Sequence, residues 1–327
     1  MNLKEIDRNG TVEGFVLVKS CDKKTSKNGS TYLDMTLCDK SGEVNAKLWD
    51  FRDGMFLPAI NTIVKVRGAL STYNGVPQLR VDRVRQIWDS DNVNMSDFVP
   101  TADLDPDRML DILEDLVTSF TDEDLKKIVL EILDRYGERM LVCPAAFRLH
   151  HAIRGGLLMH TLSIVRLCQR VSDIYPSIDR ELLIAGAILH DVCKTEEFEL
   201  SPTGLADGYS VQGTLIGHLV MGAQLVREVA ADVDADPNTA MLLEHMIISH
   251  HGEPEFGAAV RPLFLEAEVL SELDTLDARI FEIEKSLQDV PAGGFSQRQW
   301  ALNDRKFYNH GRKPTELTAD IDDPSFE

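Results

Sequence analysis

The segment AILHDVCK, residues 187–194, sets a histidine and an aspartate side by side at the end of an apolar run, with a lysine one turn further on. Side chains of adjacent helical residues point about 100° apart, so His190 and Asp191 can lean toward one point only at a helix end or kink. The doublet alone is a common accident, and its neighbours give it weight. Upstream, GGLLMHT (155–161) carries His160; downstream, GTLIGHLVMG (213–222) carries His218 and IISHHGE (247–253) carries His250 and His251. LSELDTLDAR (270–279) then supplies Asp274 and Asp277, and eight of the nine histidines fall between residues 150 and 251. Histidine binds borderline divalent metals, and carboxylates join it as the metal hardens. A lone histidine on an apolar helix face, such as His218 or His245, is more often a packed residue with a satisfied N–H. An ordered series is much harder to dismiss.

The helical period extends outward from this series. Asp105-Pro106 reads as an N-cap and first helical residue ahead of a stripe of Met109, Leu110, Leu113, Leu116 and Val117. Thr121 reads as the cap of a second helix with Leu125, Ile128, Val129, Ile132 and Leu133 on one face. Further helices are expected near 157–174, 179–192, 211–231, 238–250 and 263–288, with breaks at Pro176, Pro202 to Gly208, Pro237, and Gly252 to Pro262.

Before residue 90 the period is two. Alternation in 12–18, 31–38, 43–49, 62–70 and 76–84, with turn signals at 39–42 and at Asn74-Gly75, predicts five short strands. Five strands in about 80 residues fit a closed barrel of the OB type. The expected organisation is multi-domain: an all-β OB-type barrel over 1–90, a polar linker over 91–105, an all-α domain over 106–290, and a frayed aromatic, basic and then acidic tail over 291–327.

Composition narrows the class. The chain of 327 residues is long enough for two cores, and 43% hydrophobic with 27% charged residues is ordinary for a globular protein. No apolar run approaches the roughly 18 to 20 residues of a membrane span. The start, MNLKEIDRNG, lacks a signal-peptide core, and five scattered cysteines without a CxxC fit a reducing cytoplasm. The net charge of −20 is uneven: residues 1–90 hold 14 Lys+Arg against 11 Asp+Glu, and the remainder holds 20 against 43. A mildly basic head suits a polyanion and an acidic body suits cations, although simple solubility explains the body equally well.

The order H…HD…H…HH…D resembles that of the HD superfamily of metal-dependent phosphohydrolases, over roughly residues 145–290. With the barrel in front, and with HHAIRGGLLMHTLS (150–163), AILHDVCK, SHHGEPEFG (249–257) and QWALNDRKFY (299–308), the whole layout is similar to the YhaM-type 3′→5′ exoribonucleases. That resemblance implies a first metal held by His160, His190, Asp191 and Asp274. Asp191 would bridge to a second, held by His218 and His250 with His251 beside them. Asp277 becomes a supporting or helix-surface residue. The extra histidines favour two divalent ions, and mixed N/O ligation favours Mn²⁺, with Co²⁺, Fe²⁺ or Mg²⁺ as alternatives. Two ions about 3.5–4 Å apart neutralise a phosphodiester and supply a nucleophile at neutral pH. Lys194 is placed to meet charge developing on the phosphate, or is an ordinary lysine at a helix C-terminus. His150, His151 and Arg154 resemble positions that contact the scissile phosphate, or form a polar helix start.

On the barrel, alternation turns Leu33, Met35, Leu37, Val44, Ala46 and Leu48 to one face. It turns Tyr32, Lys47 and Trp49 to the other, with Lys65, Arg67 and Arg80 from later strands. Aromatics among cations suit single-stranded nucleic acid, where bases stack and phosphates pair; the plain alternative is a mixed solvated face. The resemblance implies an enzyme that trims single-stranded RNA, or also DNA, to nucleoside 5′-monophosphates. Two rivals are an HD enzyme of small nucleotides and a non-catalytic RNA-binding regulator. GEPEFG in place of DGxGYP after His250-His251 argues against a cyclic-di-GMP enzyme, and the complete ligand series argues against a vestigial core. The aromatic–basic end leaves a homo-oligomer open.

Overall fold

Alternating side chains close the first part of the chain into a barrel. In the computed structural model, which describes residues 3, 11–39, 41–73, 76–99, 101–102, 104–147 and 151–312, the strands are β1 (Thr11–Thr25), β2 (Thr31–Asp39), β3 (Gly42–Leu48), β4 (Ile63–Tyr73) and β5 (Val76–Gln86). Their order around the closed barrel is β1-β2-β3-β5-β4, antiparallel except for the parallel β3–β5 pair that sets Lys47 beside Arg80. Leu33, Met35, Leu37, Val44, Ala46 and Leu48 all point inward and are buried with Val16, Val64 and Leu79. Each of the larger side chains in this set stabilises the barrel by roughly 1.5–3 kcal/mol. β1 runs seven residues past the expected stretch. Its first half pairs with β4 and its second half with β2, across an irregularity between Val18 and Ser20. That second half, Lys19 to Thr25, is polar on both faces and carries no alternation to read.

The segment expected as a bare polar linker is tied down. Val93, Met95, Phe98 and Val99 pack with Leu17 and Ile63 of the barrel and with Leu205 from further along. Thr203 donates its hydroxyl to the Asn61 carbonyl (3.1 Å), and the Asn61 amide donates to Asp207 (2.9 Å). These apolar residues follow no regular period, so they do not stand out from their polar neighbours.

Helices follow: α1 (Pro106–Thr118), α2 (Glu123–Met140), α3 (Gly156–Ile174), α4 (Arg180–Leu189), the short α5 (Lys194–Glu197), α6 (Val211–Leu215), α7 (His218–Asp232), α8 (Pro237–Ser249) and α9 (Leu265–Leu287). Asp105 caps α1 ahead of Pro106 as expected. The cap of α2 is Asp122 rather than Thr121, accepting from the amides of Asp124 and Leu125. Thr121 instead donates its amide and hydroxyl to Glu181. The break near Pro202 is a two-stranded hairpin, β6 (Phe198–Leu200) with β7 (Ala206–Tyr209). The single helix expected over 211–231 is two, parted at Gly217, whose φ of 77° lies in the left-handed region. The helical core is built on Met109, Leu113, Ile128, Ile132, Leu157 and Leu183. Among the described residues no helix is long and apolar enough to cross a membrane.

The chain divides into two compact units, one ending at Asp277 and the other starting at Ala278. In the second, residues expected to fray pair back on themselves. Phe295 bridges Tyr308 and Gln299 bridges Arg305, around a turn at Asn303 and Asp304. The acidic end beyond Arg312 lies outside the described residues.

Candidate metal centre

Helix ends solve the orientation problem posed by adjacent ligands. His190 is the C-cap of α4 and His250 the C-cap of α8, so the chain leaves each helix as the next side chain begins. His160 comes from the body of α3, His218 from the first residue of α7, and Asp274 and Asp277 lie one turn apart on α9.

Asp191 is the hub. Its Oδ2 lies 3.8 Å from His160 Nε2, 3.3 Å from His190 Nε2 and 2.6 Å from Lys194 Nζ, while Oδ1 lies 3.4 Å from His218 Nε2 and 3.6 Å from His250 Nε2. Asp274 Oδ1 reaches His160 Nε2 at 3.1 Å. The opposite ring nitrogens are spoken for. Nδ1 of His190 faces the Ala187 carbonyl (2.7 Å), that of His250 the Ile247 carbonyl (2.8 Å), and that of His251 the Phe256 carbonyl (3.0 Å). His218 Nδ1 donates to Glu197 (3.0 Å) and His160 Nδ1 to Asp277 (2.8 Å).

The buried Nε2 atoms of His190, His218 and His250, with Asp191 Oδ1, have no hydrogen-bond partner among the described residues. Leaving buried polar atoms unpaired costs about 1–3 kcal/mol each. A divalent cation repays that cost, because a neutral imidazole held at Nδ1 by a carbonyl or carboxylate offers Nε2 as a ligand. The donor set therefore fits metal. Four groups of ligand atoms each lie within 4.8 Å of one another: His160-His190-Asp191, His190-His250-Asp274, His218-His250-His251 and His151-His160-Asp277.

Electrostatics follows the same partition. Burial pushes His250 down to about 3, with the neighbouring His190 and His251 adding to it against Asp191. Burial also opposes charge on His160, but Asp274 and Asp277 outweigh it and raise the ring to about 9. Against burial, Lys194 and His190 hold Asp191 well below the carboxylate range, and His151 and His160 hold Asp277 at about 2.

Several sequence expectations are relocated. Asp277 is buried and accepts from both His160 and His151 (3.0 Å to the latter's Nε2). His151, expected near substrate, is turned inward and only 2% exposed, with a φ of 48°. The Arg154 guanidinium rests on the Thr203 carbonyl at 3.5 Å. His150 lies outside the described residues. Lys194 is buried against Asp191 and is no surface lysine. Glu197 escaped the sequence reading. It meets His218 because α6 folds back onto α5 at Gly213, where a Cβ would fall 2.3 Å from the Glu197 carbonyl oxygen.

On the barrel exterior Tyr32 and Trp49 meet at 4.6 Å between ring centroids. Lys47 Nζ stands 5.2 and 5.5 Å from the two rings, and Arg80 is beside it. Lys65 and Arg67 do not join this platform. They lie on β4, which β1 separates from β2 on one side and β5 separates from β3 on the other.

An OB barrel followed by a helical His/Asp cluster defines an HD-type metal-dependent hydrolase with a nucleic-acid-binding module. The HD domain family model matches residues 157–279, that of the OB-fold nucleic acid binding domain matches 11–87, and one described as a putative helicase matches 100–177. The 3′-5′ exoribonuclease YhaM of Listeria welshimeri is 38% identical over 300 residues, covering 91% of this chain and 95% of the relative. That of Bacillus subtilis is 34% identical over 305 residues, covering 93% and 95%. Among solved structures, the second OB-fold domain of replication protein A from Methanococcus maripaludis aligns with 27% of this chain and 93% of that one, at 18% identity and a TM-score of 0.23. The chain belongs to the YhaM family of 3′-5′ exoribonucleases.

Proposed function

We propose that this chain removes nucleotides from the 3′ end of single-stranded RNA as nucleoside 5′-monophosphates, with two divalent cations, in the cytoplasm. The observation that carries the reading is the two-sided Asp191 carboxylate. One oxygen is turned to His160, His190 and Lys194, and the other to His218 and His250. His160, His190, Asp191 and Asp274 would hold one cation, and Asp191, His218, His250 and His251 the other. Nitrogen and oxygen donors favour Mn²⁺, with Co²⁺, Fe²⁺ and Mg²⁺ as alternatives. Bound there, the cations would neutralise phosphoryl oxygens and make water a nucleophile at neutral pH.

The chain's own groups do the rest. Glu197, Asp277 and the carbonyls of Ala187 and Ile247 fix each ring so that Nε2 faces inward. Lys194 supplies a buried positive charge beside the hub, placed to meet an anionic phosphate. Tyr32 and Trp49 offer bases a stacking surface, and Lys47 and Arg80 attract the backbone. The relatives' description as 3′-5′ exoribonucleases supports the polarity, and the 5′-monophosphate product is part of the proposal. All five cysteines are free, in keeping with a reducing compartment.

The test is to incubate the full chain with 5′-labelled single-stranded RNA and Mn²⁺ and to size the products. A descending ladder that slows when the 3′ end is blocked supports the reading. Release of a labelled mononucleotide from the start, preferential cleavage of cyclic dinucleotides, or no metal-dependent cleavage would each overturn it.

A further inference from the structure

Beside the Tyr32–Trp49 platform, the barrel carries a groove of about 400 Å³ between β4, β5, the end of β3 and the loop after it. Its cations come from facing strand positions: Lys65 is paired with Arg85 and Arg67 with Arg83 in the β4–β5 register. Like charges directly opposite one another destabilise a sheet. Two of the four are neutralised, since Glu13 lies 3.4 Å from Lys65 and Asp91 holds Arg85 at 2.7 and 2.8 Å. Asp82, also on the groove, is 3.3 Å from Arg80. Arg67 and Arg83 are exposed and form no ion pair among the described residues; Glu13, opposite Arg67 in the β1–β4 register, turns its carboxylate to Lys65. The opposite wall is apolar, formed by Met55 and Phe56, which are 42% and 38% exposed.

A sheet that sets two arginines without ion pairs face to face beside an exposed aromatic ring is arranged for a ligand with negative charge and a flat apolar part. We propose that this β4–β5 groove is a second nucleic-acid subsite. Arg67 and Arg83 take successive phosphates of a single strand, and Phe56 takes a base. The inference rests on the reading of the chain as an RNA-processing enzyme. It extends that reading to Arg83, Arg85 and Phe56, and it assigns Lys65 and Arg67 to a groove beside the platform rather than to the platform itself. A second copy of this chain is the competing occupant, because a protein of net charge −20 presents acidic surface of its own.

The experiment uses the full chain in chelator, so that binding is read without turnover. Anisotropy of a fluorescein-labelled 15-mer RNA is measured across a salt series for the wild type, Arg67→Ser/Arg83→Ser and Phe56→Ala. Removing two phosphate contacts should weaken low-salt binding about tenfold and reduce the slope of log K against log salt by about 1.4. Phe56→Ala should weaken binding with the slope unchanged. Relief of the facing arginines should leave the melting temperature of the double variant equal or higher. With Mn²⁺ restored, its hydrolysis of a small aryl phosphodiester should match the wild type. Unchanged affinity and slope would overturn the subsite, as would a lowered melting temperature, which marks the arginines as structural. Loss of oligomer mass in light scattering with RNA affinity intact would assign the groove to a second copy. Absence of metal-dependent hydrolysis in the wild type would instead sink the enzymatic reading, and the binding result in chelator is independent of it.

Discussion

One carboxylate oxygen of Glu197 holds His218 twice, accepting from its backbone amide at 3.1 Å and from its Nδ1 at 3.0 Å. The first contact satisfies an orphan donor at the start of α7, and the second orients the ring so that Nε2 faces Asp191. Glu197 is a positioning residue whose loss should act through the metal. We expect Glu197→Ala to weaken Mn²⁺ binding and lower activity by about 10–100-fold, with partial rescue in Glu197→Gln. Metal titration followed by calorimetry checks this, and an unchanged Mn²⁺ affinity would refute the role.

The hub supports a double-mutant test. Asp191→Ala should abolish metal-dependent hydrolysis. In metal-free protein it also strands the buried Lys194, costing about 3 kcal/mol of stability. Asp191→Ala/Lys194→Met should regain much of that stability in denaturant titration and none of the activity. A single variant that turns over normally would remove Asp191 from the mechanism.

A third expectation concerns acid stability. Glu181 accepts from the amides of Thr121 and Asp122 and from the Thr121 hydroxyl, joining the start of α2 to α4. Although burial opposes it, those donors hold the carboxyl below its ordinary value of 4.5. A depressed folded-state pKa contributes stability above the unfolded value, and that contribution is lost as pH falls through the folded value. Glu181→Ala should therefore cost about 1 kcal/mol at pH 7, discounted for solvent screening, and progressively less below about pH 4.5. Urea titrations at pH 7 and pH 3.5 separate the cases. A pH-independent difference would mean that the contact works by packing.

On the barrel, Trp49→Ala should weaken single-stranded RNA binding by about 1–3 kcal/mol, the worth of one stacked base. Because the Tyr32 and Trp49 rings touch each other, Tyr32→Ala/Trp49→Ala should cost less than the sum of the single changes. Additive losses in anisotropy titrations would show that the two rings act as separate platforms.

Much of what depends on consecutive residues is legible in the sequence. Period-two alternation placed Leu33, Met35 and Leu37 in the barrel core, and Asp105-Pro106 marked the start of α1. The spaced series includes His160, His190, His218 and His250, whose Nε2 atoms lie 3.3–3.8 Å from Asp191, each at a helix terminus or on an apolar helix face. What holds those side chains was decided only by tertiary structure. His151 and Asp277 are 126 positions apart, and Glu197 reaches His218 across a hairpin and a helix break at Gly217. Likewise, alternation showed that Lys65 and Arg67 point outward, but closing the barrel put them beside Arg83 and Arg85 rather than on the platform with Trp49. Local period records which way a residue faces along its own element. Its partners depend on which elements close on one another, and that is settled when the whole core packs.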